Sequence, residues 1–303
     1  MERIRNLLNI DLFEEFQNKK SSFSVVIMDS GIVLHPDFDS AKLLFCDFVN
    51  GIKSPYDDYG HGTHIAGIIG GNGKNRRGIY RGIYPECSLI AVKILDQNGN
   101  GRVEQMCKAM EWILQNKEKY NIKIVNISLS LNQTASPEKS KQVLDLVRKM
   151  CREGILVVAA AGNNGPAPGS ISRIADLKEV IAVGCYDGEY KSKFGQNCEE
   201  YSACGPGSSS FRKPDIVAPG TDIVSCNNLF LLGHYYTRKS GTSMATAVVT
   251  GCMALTLAAN PAITSEEMRM LLRKNAIDQN IPWNRQGWGM INVKGMIKSA
   301  LFG

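Results

Sequence analysis

Three short strings hold an aspartate, a histidine and a serine: VVIMDSG around Asp29, GHGTHIAG around His61 and SGTSMATAVVTG around Ser243. Each lies in a glycine-rich turn beside an apolar run. A carboxylate at the end of a buried strand can accept an imidazole N–H and stabilise the imidazolium that forms later. A histidine between glycines at a helix start keeps its ring accessible for general-base work. A serine placed where a Gly-led loop becomes a helix exposes its Oγ beside backbone N–H groups that favour negative charge. The combined chemistry is nucleophilic catalysis by a Ser–His–Asp triad. Each residue also has a plainer role: a turn-forming Asp, a core His, an N-cap Ser. Three concordant strings argue against all three plain roles at once. The plain role is kept for His35, His64 and His234. His64 lies one helical turn from His61, but no HExxH and no third ligand accompany it.

These residues need a rigid frame, and the hydrophobic pattern supplies one. SSFSVVIMDSG predicts a buried strand ending in a tight turn, and HGTHIAGIIGG a helix that stops at the glycine pair. Strands follow at SLIAVKIL, IKIVNISLS, ILVVAAAG and EVIAVGCY, with helices at VEQMCKAMEWILQNKEKY and KQVLDLVRKMCREG between them. A long helix follows Ser243, and SEEMRMLLRKNA forms another near the C-terminus. Residues 190–238 read as loops and short strands. Alternation of this kind predicts an α/β fold in three layers, a mostly parallel central sheet flanked by helices on both faces. Residues 1–21 read as a helical N-terminal extension, with Ile4, Leu7, Leu8, Leu12 and Phe16 at helical spacing. Residues 22–303 read as one catalytic domain, with no linker or internal repeat.

Composition narrows the function class. With 44% hydrophobic and 21% charged residues the chain is an ordinary globular sequence. Its net charge of +6 is spread out, and no basic repeat or RNA-type aromatic motif points to nucleic acid. No apolar run approaches the length of a membrane span, so no membrane partner is expected. The nine cysteines follow no CxxC or Cys/His pattern, and several lie in apolar runs. Unpatterned thiols fit a reducing cytosol better than a disulfide framework. The N-terminal residues have no leader-like apolar stretch, and the expected location is cytoplasmic. No motif specifies an oligomeric state.

In the chain order Asp, His, Ser the sequence resembles the subtilisin-like serine proteases (subtilases, peptidase family S8) over roughly residues 22–300. Its pattern is nearest to the intracellular bacterial branch. The resemblance implies a serine endopeptidase that forms an acyl-enzyme, with Asp29, His61 and Ser243 as catalytic residues. It implies an oxyanion site made by the Asn163 side-chain amide, in VVAAAGNNG, and the backbone N–H of Ser243. The substrate would be a peptide or protein bound as an extended strand between Asn98, Gly99, Asn100 and Gly101 on one edge and Ser128, Leu129 and Ser130 on the other. One wall of the primary pocket would be Ala159, Ala160, Ala161 and Gly162.

No cofactor is required. Structural calcium is a family habit, but no ligand set is legible, and KNRRGIYRGIYPE lacks the Asn-rich calcium loop of secreted relatives. Ala247 stands where the family usually has Pro, and Ser130 where it commonly has Gly. Two roles compete: general intracellular proteolysis, and processing of a dedicated precursor such as a bacteriocin or lanthipeptide leader. The short stretch before the first triad strand favours the dedicated role. A catalytically silent binding protein would normally have lost a triad member, and this chain keeps all of them. A nucleotide binder would need a GxGxxG or Walker string after a strand, and none is present.

Overall fold

The structure, a computed structural model, describes residues 1–129, 137–207 and 211–303. Seven strands form one parallel sheet: β1 (Ser24–Asp29), β2 (Leu43–Asp47), β3 (Ser88–Lys93), β4 (Ile122–Ile127), β5 (Leu156–Ala160), β6 (Ile181–Cys185) and β7 (Ile216–Ala218). Their spatial order is β2-β3-β1-β4-β5-β6-β7. A separate antiparallel hairpin joins β8 (Ile223–Cys226) to β9 (Tyr236–Lys239). The helices are α1 (Glu2–Leu7), α2 (Glu14–Gln17), α3 (His61–Gly70), α4 (Val103–Asn116), α5 (Pro137–Arg152), α6 (Thr242–Ala259), α7 (Ser265–Asn275), α8 (Trp283–Gln286) and α9 (Val293–Phe302).

Strand β1 shows why the sheet is parallel and central. All six of its residues are buried, which is the pattern of a strand covered on both faces. Because successive side chains take opposite faces, Val25 and Ile27 enter the core shared with α3 and α6, while Val26 and Met28 enter the core shared with α4 and α5. Helix α6 is apolar on nearly every side. By length and mean hydropathy (18 residues, 1.5) it could cross a membrane, yet 89% of that window is buried inside the fold. It is the central helix of one layer, as an all-round apolar helix in a folded domain must be. Helix α7 starts on a reciprocal cap: Thr264 Oγ1 accepts the Glu267 N–H, and the Glu267 carboxylate accepts the Thr264 N–H.

The N-terminal segment differs from its expectation. The single amphipathic helix is broken into α1, a 3-10 turn (Ile10–Phe13) and α2, because Asn9 takes a left-handed conformation at φ 54°. The break changes the buried face. Ile4, Leu8, Ile10 and Phe13 enter the core, while Leu7 and Leu12 stay exposed. Buried Arg5 ties the segment down through the Gly82 carbonyl, Asp11 and Gln17. The segment packs into the same core as α3 and α6. Strand β2 and helix α9 carry no sequence signal strong enough to have been expected. All five β2 residues are only half-buried, as befits the sheet's edge.

Candidate active site

Strand β1 is the turning point of the topology. The chain runs from it to β2 and β3 on one side, then crosses to β4 on the other. The crevice beyond the carboxyl ends of strands at such a point is where open α/β sheets place ligands. Asp29 ends β1, Ser128 follows β4, and Asn163 lies three residues beyond β5.

Asp29 is 1% exposed. Its two carboxylate oxygens each lie 2.8 Å from His61 Nδ1, and the Ser30 N–H donates to Oδ1 at 2.7 Å. His61 is the first residue of α3, so its ring sits at the edge of the helix with 17% of the side chain exposed. The two turns meet closely because they are glycines where they touch. A Cβ on Gly62 would lie 2.2 Å from the Gly31 carbonyl oxygen and 3.2 Å from the Asp29 Cβ. Burial opposes protonation of His61, but the Asp29 charge and hydrogen bond outweigh it and hold the imidazole pKa above its ordinary 6.5. Nδ1 is committed to Asp29, which leaves Nε2 as the working nitrogen.

Ser243 is the second residue of α6, and its N–H, one of the first four of the helix, has no intrahelical acceptor. Its Oγ donates to the Ser128 carbonyl at 3.1 Å, and among the described residues no hydrogen bond joins it to His61. Such links are often loose in unliganded sites and tighten with substrate. The orientation of Asn163 is fixed by its neighbour. The Thr242 N–H, which can only donate, reaches Asn163 Oδ1 at 3.1 Å, and the Thr242 hydroxyl lies 3.0 Å from the same oxygen. Nδ2 is therefore the donor end of the amide, and it has no hydrogen-bond partner among the described residues.

A cleft of about 460 Å³ opens beside His61, bordered by Gly99, Asn100, Gly101, Ser128 and Leu129 together with Tyr59, Leu95, Val103 and Met106. The two expected edges therefore face one space. Asn98 does not border it: it lies at the exposed tip of a turn in which the Asp96 carboxylate accepts the N–H groups of Asn98 and Asn100. Ser130 lies outside the described residues. Ala159, Ala160 and Ala161 are almost fully buried, Ala159 in the α4/α5 core, and neither they nor Gly162 border this cleft.

Sequence reasoning missed the residues that hold these groups. Buried Asp57 accepts hydrogen bonds from Ser30 Oγ (2.8 Å), the Gly60 N–H (2.7 Å) and both the N–H and hydroxyl of Thr63 (2.8 and 2.7 Å). It is a carboxylate at the N-terminus of α3, where the helix dipole favours one. An Asp four residues before a helix-opening His was the available signal. Asn126, fully buried on β4, donates to Ser128 Oγ (2.8 Å) and accepts from Thr250 on α6 (2.9 Å).

His64 is buried, with Nε2 on the Ile223 carbonyl and its pKa pushed down to about 3, chiefly by burial. That keeps it a neutral core residue. His35, Asp37 and Cys226 come together, as do Cys185, Asp187 and Cys198. Neither set suits a metal. Both ring nitrogens of His35 are engaged, by the Tyr235 carbonyl and the Asp37 N–H, and Cys185 forms a disulfide with Cys198. The pair joins the end of β6 to a turn 13 residues on, a spacing with no sequence signature, so it departs from the expectation of unpatterned thiols. Nor do the residues around the calcium-loop segment fit a divalent cation. Asp37 already accepts the Asn75 N–H and the Tyr236 hydroxyl, and the adjoining turn carries Lys74, Arg76 and Arg77.

Comparison with known proteins places the chain in a family. The family described as Subtilase family matches residues 20–289. "Serine protease AprX" of Bacillus subtilis (strain 168) is 35% identical over 90% of this chain and 66% of its own length. "Subtilisin Savinase" of Lederbergia lenta is 34% identical over 90% of each chain. "Minor extracellular protease Epr" of Bacillus subtilis (strain 168) is 33% identical, and the chain spans only 39% of it. Among solved structures, "S41 Psychrophilic Protease" superposes with a TM-score of 0.75 at 28% identity, covering 91% of this chain and 92% of that one.

Proposed function

Because this chain belongs to the subtilase family of serine proteases, we propose that it is a serine endopeptidase working through Asp29, His61 and Ser243. The observation that carries the reading is the Asp29–His61 pair, closed at 2.8 Å beside a cleft that Ser128 also borders, with Ser243 Oγ donating to the Ser128 carbonyl. His61 Nε2 takes the Ser243 proton as Oγ turns away from the Ser128 carbonyl and attacks the scissile carbon. Asn163 Nδ2 and the Ser243 N–H hold the tetrahedral oxyanion, at the positive end of the α6 dipole. The imidazolium, stabilised by Asp29, then protonates the leaving amine, and water releases the acyl-enzyme.

The substrate is an extended peptide, hydrogen-bonded between the Gly99–Gly101 edge and the Ser128–Leu129 edge. The test is a fluorophosphonate probe read by intact mass on the native chain and on Ser243→Ala. One adduct, on the native chain alone, is expected. A folded native chain that stays unmodified would overturn the reading.

Cytoplasmic residence belongs to the same proposal. It is supported by seven free cysteines, five of them buried, while the Cys185–Cys198 bond weighs against it. Acid quenching of intact cells followed by alkylation in denaturant decides: both buried sulfurs trapped as thiols fits the cytoplasm, and a disulfide in every molecule excludes it.

A further inference from the structure

Lys93 ends β3 directly beside Asp29 in the register of the sheet, and its side chain is fully buried. A buried ammonium is costly unless its protons and its charge are both matched. Here both are. An ammonium has three protons, and Nζ lies 2.6 Å from the Ser30 carbonyl, 2.8 Å from the Leu95 carbonyl and 2.6 Å from the Asp58 carboxylate. The Tyr56 ring lies 4.7 Å away, close enough for a cation–π contact.

The three acceptors belong to three different parts of the site. Ser30 follows Asp29, binds its carboxylate through N–H, and links Asp57 to the Gly62 N–H through its hydroxyl. Asp58 lies in the segment that leads into His61, next to the Asp57 that organises that helix start. Leu95 borders the cleft, bridges to Gly101 on the substrate edge, and donates its N–H to the Asp29 carbonyl at 3.3 Å. A core lysine needed only for burial has no reason to select these three.

We propose that the Lys93–Asp58 pair is a positioning device that locks the Asp29 turn, the His61 approach and the Gly99–Gly101 substrate edge into one rigid unit. Lys93 touches no reacting atom. It acts on the rate by holding Asp29 against His61, and on substrate affinity by holding the edge that Leu95 carries.

The inference rests on the peptidase reading, and the experiment separates the two. Native chain, Lys93→Met and Asp58→Ala are titrated with the fluorophosphonate, so that rates refer to reactive sites. Each is then measured for kcat and KM on an extended peptide and for the deshielded Nδ1 proton of His61 by NMR. Displacement of the triad by about an ångström corresponds to roughly a 10²-fold loss, and Lys93→Met is expected to lose that in kcat, raise KM several-fold and shift the Nδ1 proton. Asp58→Ala, which removes a third-exposed carboxylate, is expected to move all three in the same direction by less.

Variants with lowered melting temperature but native kcat, KM and Nδ1 proton would make Lys93 a structural residue and overturn the inference. Should Lys93→Met not fold, Asp58→Ala decides alone on the same readouts. A native chain that does not react with the probe would overturn the peptidase reading and this inference with it.

Discussion

The two halves of the site are built from different materials. The Asp–His half is held by ions: Asp29 on His61, Asp57 on Ser30 and Thr63, Asp58 on Lys93. The Ser–Asn half is held by neutral groups. Asn126 joins Ser128 to Thr250, and Thr242 fixes Asn163. Among the described residues no carboxylate is a hydrogen-bond partner of Ser243, Ser128 or Asn163. The division matches the charge the reaction makes. Positive charge develops on His61, where carboxylates wait, and negative charge on the oxyanion, which the proposed site meets with N–H dipoles and a helix N-terminus. A carboxylate in the second half would oppose the transition state.

Removing the nucleophile is the largest change. Ser243→Ala should lower kcat by about 10⁶-fold, a magnitude carried over from subtilisin itself, with the fold kept, since among the described residues the side chain's one hydrogen bond is to a carbonyl that water can serve. Turnover retained in that variant, measured on the extended peptide, would show the wrong nucleophile.

Asp29→Asn tests the charged half. A loss of about 10⁴-fold is expected, as for the corresponding change in another Ser–His–Asp enzyme. The pH profile adds a sign. The reaction needs neutral His61, and its pKa is raised, so in the native chain kcat/KM falls as pH drops through a value above 6.5. Without the carboxylate that acid limb should move to lower pH. An unmoved limb would mean that the titrating group is not His61. Next in size is Asn163→Ala, expected to cost about 10²–10³-fold in kcat with little change in KM, again a subtilisin magnitude. A change in KM alone would place Asn163 in ground-state binding instead.

How much of this was readable in the sequence follows the same division. The triad and the strands below it are legible because apolar runs, glycine turns and helix starts are local signals. Asp29, His61 and Ser243 could be named from the residues on either side of them. Their supports were far less legible, with Asp57 alone offering a local signal. Asp57 works through partners 27 residues upstream and six downstream, Lys93 through Ser30 and Asp58, and Asn126 through a threonine 124 residues later. Only the folded sheet brings such groups together. The N-terminal segment is helical but broken, and the break comes from one left-handed asparagine that helical spacing does not register.

The weakest perturbation sharpens the comparison most. Thr250→Val keeps shape and branching on α6 but removes the hydroxyl that satisfies Asn126 Oδ1, with both side chains fully buried. An acceptor left without its partner in a dry site costs about 1–3 kcal/mol, so thermal unfolding should shift down by a few degrees. Asn126 still holds Ser128 through Nδ2, and the fall in kcat should stay below about 10-fold, since a small displacement of a supporting group costs far less than loss of an oxyanion donor. If Thr250→Val instead lowered kcat as far as Asn163→Ala with its unfolding temperature unchanged, the neutral network would be tuning the nucleophile and not only supporting it. The contrast between an ion-held half and a passively held half would then fail.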